Sequence, residues 1–364
     1  MLERINDNIE FQCFYEKYLI GNIPCIINDG LTGNWEARKF WVEDHKINTD
    51  YLKQKYGDYT VPVVNCQQRE YDAQARVEMK FDEYLAYWNK KTEKSCSEQD
   101  NDCLYLKDWH LQRESHDSFY EVPHYFRSDW LNEFLDEKNM DDYRFTYMGP
   151  KGSWTPFHAD VFGSYSWSAN VCGRKLWFLV PRGDEELLRD SKRQLPYDLR
   201  NCSKNLAKVW IEVIQEEGEV IFVPSGWYHQ VINLEDTISI NHNWFNGANI
   251  HHVITKLLEG HNMVCQELHD CRPTNNLDQL EWRNQCELVL KCHHGMNLKG
   301  FRDLLITIGE KRLDSKKTSF LIHFDLKKIE ECLFKLIESK EISEIVEIKK
   351  IEVFLKRIDD AIQM

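Results

Sequence analysis

The 364-residue sequence lacks an excess of positive charge. It contains 46 Lys and Arg residues against 60 Asp and Glu residues, which gives a net charge of −14. An acidic surface disfavours general binding to nucleic acid or to anionic membranes, because their phosphates attract basic surfaces. The same balance suits a basic protein partner, or it simply keeps the chain in solution.

Long apolar runs are also absent. No stretch approaches the roughly 18 apolar residues that a membrane-spanning helix requires. The first ten residues, MLERINDNIE, include acidic groups and lack the apolar core of a secretory signal peptide. We therefore expect no membrane association, and a location in the cytoplasm or also in the nucleus.

The cysteines lack the spacing of a disulfide or zinc framework. The densest group has gaps of five residues, wider than the two to four typical of zinc ligand pairs, and comprises Cys265, Cys271, Cys286 and Cys292, followed by His293 and His294. Two interpretations stay open, a zinc site or ordinary thiols. In a chain without a secretion signal, the twelve cysteines are expected to be reduced.

What the sequence does contain is a β-rich centre between helical flanks. Between about 104 and 246, short runs of aromatic and β-branched residues recur, among them YRFTYM, YSWSANVC, KLWFLVP and TISINHNWF. This pattern predicts an all-β barrel or double-sheet jelly roll. Residues 1–103 mix helices with short strands such as PCIIND and are expected to pack on the core. Residues 104–250 would form the catalytic domain, and 251–364 have helical periodicity.

Two His-x-Asp triplets raise the question of a metal site. The second, His323-Phe324-Asp325, directly precedes LKKIEECLFKLIES, whose apolar residues recur at helical spacing. Asp is a favoured helix N-cap, and Phe324 with Ile329 would then form a hydrophobic staple. The pattern predicts a helix that begins at Asp325, and no metal role.

The first triplet, His158-Ala159-Asp160, lies between predicted strands. Residues i and i+2 of a strand share a face, so both side chains could point into a barrel. His229 in PSGWYHQV is the best third ligand, and two His with one carboxylate form the facial triad of non-heme iron oxygenases. The alternative is that these histidines are hydrogen-bonded structural residues at strand ends.

Further polar residues favour the iron interpretation. A 2-oxoglutarate cosubstrate would leave a buried distal carboxylate, which needs a cation and hydroxyl groups. Lys175 in CGRKLWFLVP could supply the cation and Thr155 a hydroxyl, while Arg174 would point to the other face. The alternative for Lys175 is an exposed position at a strand edge.

These motifs carry a resemblance to a known family. WTPFHAD, NVCGRKLWFLVP, VIFVPSGWYHQVINL and TISINHNW, in this order, resemble the JmjC (Jumonji C) family of Fe(II)- and 2-oxoglutarate-dependent oxygenases. LYLKDW and PCIIND are also in place, and the likeness is strong over about 100–250 and looser before it. It implies a double-stranded β-helix (a cupin-like jelly roll) with helices on either side, Fe(II) as cofactor, and 2-oxoglutarate and O2 as cosubstrates.

The resemblance also implies site residues by motif position. The iron ligands would be His158, Asp160 and His229, and no further catalytic side chain is implied. The cosubstrate contacts would be Lys175, Thr155, Tyr105, Asn241 and Asn243. Ser168 is a departure, since close relatives often carry an amide near that position. Asn170 lies two residues further on and could substitute for it.

The function implied is that of a protein hydroxylase. Within the family the likeness is greatest to a lysyl hydroxylase that acts on a translation termination (release) factor. Three tryptophans could line the stem of a substrate lysine or simply pack in the core, namely Trp167, Trp227 and Trp244. A histone or protein lysine demethylase uses the same ligand set and stays an alternative, as does a binding module without turnover. The C-terminal helices could mediate a homo-oligomer.

Overall fold

The structure, a computed structural model, describes residues 2–44, 46–93, 102–270, 278–315, 319–338 and 340–363. The chain forms two compact units. The first comprises Met1–Arg127, Asp142–Asp160 and Tyr165–Asn243, and the second comprises Ser128–Asp141, Val161–Ser164 and Trp244–Met364. The three segments expected from the sequence, 1–103, 104–250 and 251–364, stay a prediction.

Most of the described strands lie in the segment with the β-rich pattern. In chain order the fifteen strands are β1 Glu3–Ile5, β2 Cys25–Ile27, β3 Val42–Glu43, β4 Lys46–Ile47, β5 Thr60–Glu70, β6 Ala73–Lys80, β7 Leu104–Trp109, β8 Arg144–Gly149, β9 Trp154–His158, β10 Tyr165–Cys172, β11 Lys175–Val180, β12 Ile211–Gln215, β13 Val220–Val223, β14 Tyr228–Asn233 and β15 Thr237–Trp244.

Two sheets form the core of the first unit. The large sheet has the order β1-β2-β13-β10-β15-β8-β7-β5-β6, and the small one β12-β11-β14-β9. The two meet through side chains, since Lys175 of β11 donates to the Ser239 hydroxyl of β15. Four strands of the large sheet, β13-β10-β15-β8, and the four of the small sheet form the two layers of a jelly roll. The predicted cupin-like fold is confirmed.

The inner face of the large sheet carries polar side chains because strand residues alternate between faces. In β10, Ser166 and Ser168 alternate with Trp167 and Ala169, which are almost fully buried. In β15 the corresponding polar residues are Ser239, Asn241 and Asn243. This alternation aligns two stripes of hydroxyl and amide groups toward the space between the sheets.

Helices precede and follow the β core, as expected. They are α1 Phe11–Phe14, which continues as a π-helix over Tyr15–Ile20, α2 Glu36–Phe40, α3 Thr49–Tyr56, α4 Phe81–Glu93, α5 Leu111–Ser115, α6 Trp130–Glu137, α7 Ile250–Glu267, α8 Gln279–His294, α9 Leu298–Leu313, α10 Phe320–Glu338, α11 Lys340–Ile345 and α12 Ile348–Gln363. Among the described residues, no helix combines the length and the apolar character needed to cross a bilayer.

The predicted helix start at Asp325 was wrong. Helix α10 begins at Phe320, and the Ser319 hydroxyl accepts from the Ile322 amide at 3.3 Å. Asp325 instead lies inside the helix, 4% exposed, with its carboxylate 2.9 Å from Nε of Arg312. The predicted staple of Phe324 and Ile329 therefore does not apply, since Ser319 takes the capping position.

Candidate metal centre

The triplet His158-Ala159-Asp160 lies beside a second histidine, His229, on the neighbouring strand β14. His158 ends β9 and stands directly opposite His229 of β14, where the pairing shifts register after His229. One ligand atom each from His158, Asp160 and His229 lies within 4.8 Å of the others. Of the residues that the structure describes, these three form the only group of three or more His, Cys, Asp or Glu side chains so arranged.

Backbone carbonyls orient both imidazole rings. Nδ1 of His158 lies 2.8 Å from the Pro156 carbonyl, and Nδ1 of His229 lies 3.1 Å from the Trp227 carbonyl. A carbonyl oxygen only accepts, so each Nδ1 carries a proton, and in the neutral form of each ring Nε2 then keeps a lone pair for a metal. This hydrogen bonding gives both histidines the tautomer of a metal ligand.

The carboxylate is held in the same way. Ser166 donates its hydroxyl to Oδ2 of Asp160 at 2.7 Å, which fixes the direction of the carboxylate. Desolvation raises the pKa of Asp160, but the two imidazoles and hydrogen bonds from Ser166 and Asn243 outweigh it and hold the pKa below its ordinary value. Asp160 is therefore an anion, as a metal ligand must be.

Desolvation, with the adjacent His229, lowers the pKa of His158 to about 4, although Asp160 opposes the shift. The His158 ring is thus neutral at physiological pH and available to a metal. Neutral nitrogen donors together with one carboxylate suit a divalent transition metal, and this combination with open positions is typical of non-heme Fe(II). The residues fit iron.

Lys175 places a buried basic group between the two sheets. Its side chain is 2% exposed, and Nζ lies 2.6 Å from the Ser239 hydroxyl. Burial, and to a smaller extent the charge of Lys107, lowers the pKa of Lys175 to about 7. The described residues give it no carboxylate partner, so an anion in the cavity would stabilise its charged form. Arg174 points away, 42% exposed and 2.8 Å from Glu235, as expected.

Known proteins resemble this chain over most of its length. The cupin-like domain family matches residues 11–249. The 2-oxoglutarate and iron-dependent oxygenase JMJD4 of Mus musculus is 44% identical over 317 residues, which cover 82% of this chain and 72% of the mouse protein. The Drosophila melanogaster homologue of JMJD4 is 38% identical over 369 residues, which cover 90% of this chain and 85% of the Drosophila protein.

The chain belongs to the JmjC family of 2-oxoglutarate- and iron-dependent oxygenases. The family expected from the sequence is thereby confirmed, and so are the enzyme class and the cofactors that go with it. A plant relative is named for a different activity. The arginine-specific demethylase JMJ20 of Arabidopsis thaliana is 40% identical over 82% of this chain and 68% of its own length.

The other expected cosubstrate residues of the oxygenase lie on three strands. Tyr105 of β7 is 3% exposed and packs so closely over Gly149 that a Cβ there would come 2.4 Å from its ring. Thr155 lies on β9 opposite Val231 and is partly exposed. Asn241 accepts from the Ser168 hydroxyl at 3.0 Å, while the Asn243 amide bonds to Asp160.

The Asn170 side chain donates hydrogen bonds to backbone carbonyls and not to the polar side chains beside it on β10. Its amide nitrogen lies 3.2 Å from the Gln215 carbonyl and 3.4 Å from the carbonyls of Gly173 and Glu216. Ser168 therefore makes the inward contact, through Asn241. A cosubstrate role for either residue stays a prediction.

The three tryptophans lie in packed surroundings. Trp167 stands on the opposite face of β10 from Ser166, stacked on Phe126 at 5.8 Å and 4.3 Å from His242. Trp227 packs at the margin of an apolar cluster that includes Trp177, and Trp244, in the second unit, is fully buried. These positions favour core packing over a substrate pocket.

The cysteine group is not assembled around a metal in the part of the chain that the structure describes. Cys265 lies 3.6 Å from Nε2 of His261, Cys286 is buried and Cys292 exposed. Cys271 lies outside the described residues.

Three residues of the cavity were missed in the sequence. Ser166 holds Asp160, Ser239 holds Lys175, and the Tyr147 ring lies 6.0 Å from Nζ of Lys175. The first two could have been found, because YSWSAN and TISINHN alternate polar and apolar residues in step with the predicted contacts Ser168 and Asn241.

Proposed function

We propose that this oxygenase is a protein hydroxylase in which His158, Asp160 and His229 hold Fe(II). The observation that carries the proposal is the cluster of two imidazoles and one carboxylate, with both Nε2 atoms left for a metal. When bound, Fe(II) with 2-oxoglutarate and dioxygen supplies the oxidising chemistry that inserts an oxygen atom into a C–H bond.

The protein's own residues bind and orient. Lys175 and Ser239 anchor the distal carboxylate of 2-oxoglutarate, since that buried anion needs a cation and a donor. Ser166 fixes the direction of the Asp160 carboxylate, and the Pro156 and Trp227 carbonyls fix the rings. Tyr105 and Thr155 complete the cosubstrate pocket.

The substrate we propose is a lysine of a translation release factor, hydroxylated on a side-chain carbon. Two features support it, the motif resemblance to a lysyl hydroxylase of that kind and the net charge of −14, which suits a basic partner. A cytoplasmic location follows from this substrate.

The test is to incubate the purified chain with Fe(II), ascorbate, 2-oxoglutarate and full-length release factor. We expect succinate and the mass of one added oxygen atom on a lysine of the release factor, neither of which appears with His158→Ala. Succinate that forms without any lysine modification would refute the substrate. The absence of succinate with every substrate, together with partner binding that survives His158→Ala, would favour a binding module.

A demethylase is the second candidate, because the relative from Arabidopsis thaliana is named an arginine-specific demethylase. Its substrate would carry an N-methyl group, which leaves as formaldehyde after hydroxylation. Parallel reactions on unmethylated and methylated release factor decide between the two. Loss of a CH2 unit with release of formaldehyde would favour the demethylase, whereas oxygen gain on unmethylated lysine would favour the hydroxylase.

A further inference from the structure

Strand β7 carries one extra residue opposite β8. Leu106 pairs with Met148 and Trp109 with Thr146, so three steps along β7 face two along β8. Asp108 lies in this bulge with a left-handed φ of 59°. A non-glycine residue adopts this conformation at a cost, and bulges of this kind re-aim side chains beside active sites.

Two aromatic rings lie next to the bulge on the cavity side of β8. Phe145 and Tyr147 alternate with Thr146 and Met148, which are buried on the opposite face. The two rings are almost parallel, at 4°, with centroids 6.2 Å apart, and both are partly exposed. We call this pair the aromatic rail.

The aromatic rail borders the proposed cosubstrate pocket. Tyr147 stands directly opposite Ser239 in β15, and Phe145 opposite Asn241. Because Ser239 also binds Lys175, the Tyr147 end of the rail adjoins the predicted anchor of 2-oxoglutarate. An elongated group lying on the rail would therefore reach the cavity that holds the metal ligands.

The rail ends at a carboxylate with free accepting capacity. Oδ1 of Asp108 accepts from the Tyr147 hydroxyl at 2.7 Å. Oδ2 forms a loose ion pair with the exposed Arg76, at 3.9 Å, which is too long for a hydrogen bond, and the Asp108 side chain is 38% exposed. A cationic group on the rail would find this oxygen available.

We propose that Phe145, Tyr147 and Asp108 form a recognition site for a basic side chain of the substrate. The apolar stem lies along the two rings, and the terminal cation pairs with Oδ2 of Asp108. Aromatic faces bind both methylene stems and cations, and a charge-assisted hydrogen bond fixes the end of the chain. The inference rests on the proposed function and adds to it the residues that select a basic side chain.

A purely structural role would be to fasten the bulge to β8 through Tyr147. Asp108→Asn separates the two roles, because the amide oxygen still accepts from Tyr147 while the negative charge is lost. Asp72→Asn is the matched control. Asp72 is a fully exposed carboxylate beside Arg69 at the turn between β5 and β6. Thermal unfolding of both variants checks that they fold.

The first experiment measures binding without turnover. The full chain is loaded with Zn(II) and 2-oxoglutarate, and saturation-transfer NMR is recorded with the N-acetyl methylamides of lysine, arginine and norleucine. We expect transfer to the lysine probe, none to norleucine, and loss of the signal in Asp108→Asn but not in Asp72→Asn. The arginine probe shows whether a guanidinium binds equally well. Equal signals from lysine and norleucine, no signal from any probe, or a signal that survives Asp108→Asn would each overturn the inference.

The second experiment uses full-length release factor under turnover. Loss of a charge-assisted hydrogen bond predicts a KM for release factor raised about tenfold in Asp108→Asn, with kcat changed much less. If the wild-type chain consumes no 2-oxoglutarate with release factor, the proposed function fails and the NMR measurement still decides the recognition site. If the wild-type chain is active and Asp108→Asn has the same KM, the recognition site is refuted and the proposed function stands.

Discussion

The two His-x-Asp triplets have the same spacing and lie in the two different units of the molecule. In the first unit His158 ends a strand, and its pairing with β14 brings His229 alongside it and Asp160. In the second unit His323 and Asp325 lie in helix α10, where residues two apart point about 200° from each other. His323 is exposed and Asp325 is buried against Arg312. The secondary structure around a triplet, and not its spacing, decides whether its side chains converge.

The largest effect should separate the two histidines. His158→Ala removes one of the three proposed ligands, so affinity for a divalent metal is expected to fall by more than the roughly 10- to 100-fold typical of losing a residue that only orients a ligand. His323→Ala is the matched control and should bind metal as the wild type does. Calorimetric titration with Zn(II) measures both. Similar losses of Zn(II) affinity in His158→Ala and His323→Ala would mean that the metal binds elsewhere.

The next largest effect contrasts two adjacent basic residues. Lys175→Ala leaves the distal carboxylate of 2-oxoglutarate buried and unpaired, so its Kd is expected to rise about 100-fold. Arg174→Ala removes an exposed residue on the other face, paired with Glu235, and should leave the Kd unchanged. Binding is measured on the Zn(II)-loaded chain. An unchanged Kd in Lys175→Ala would show that the cosubstrate lies elsewhere.

The second triplet should matter for stability instead of metal binding. Asp325→Ala removes the partner 2.9 Å from the largely buried Arg312, although Glu133 still contacts that guanidinium at 3.2 Å. Because removing one partner of a buried ion pair leaves the other charge uncompensated, we expect the free energy of unfolding to fall by about 3 kcal/mol. Urea denaturation gives the value, and the metal affinity should not change. A variant as stable as the wild type would mean that Glu133 alone satisfies Arg312.

Much of this contrast could be predicted from the sequence, and part of it could not. The three proposed metal ligands and Lys175 lie in short motifs, and their residue types indicate the proposed chemistry. The start of α10 could not be predicted, because Ser319 and Asp325 are both favoured N-cap residues. Asp325 pairs with Arg312 inside the helix, and Ser319 takes the capping position. The positive φ of Asp108 also leaves no local signal, since the bulge arises from pairing with a strand some forty residues away.

A smaller effect concerns the charge of Lys175. Its folded pKa, lowered to about 7 from an ordinary 10.5, means that above pH 7 the free site must take up a proton when it binds an anion. The affinity for 2-oxoglutarate should therefore weaken by up to about tenfold for each pH unit above 7. Titrations of the Zn(II)-loaded chain from pH 7 to 9, in buffers of different ionisation enthalpy, measure affinity and proton uptake together. A flat profile without proton uptake would mean that Lys175 is already charged.

The smallest effect tests the hydroxyl that orients Asp160. Ser166→Ala removes a hydrogen bond of 2.7 Å without touching a ligand, so the affinity for Zn(II) is expected to fall about tenfold. Ser168→Ala, two residues along the same face, removes a hydroxyl that bonds Asn241 instead and should leave metal affinity unchanged. Ser166→Thr restores a hydroxyl and should recover most of the loss. Equal losses in Ser166→Ala and Ser168→Ala would mean that the whole polar stripe, and not the single bond to Asp160, shapes the site. The polar side chains of β10 would then shape the first triplet as a group, whereas Arg312 acts on the second triplet through its ion pair with Asp325.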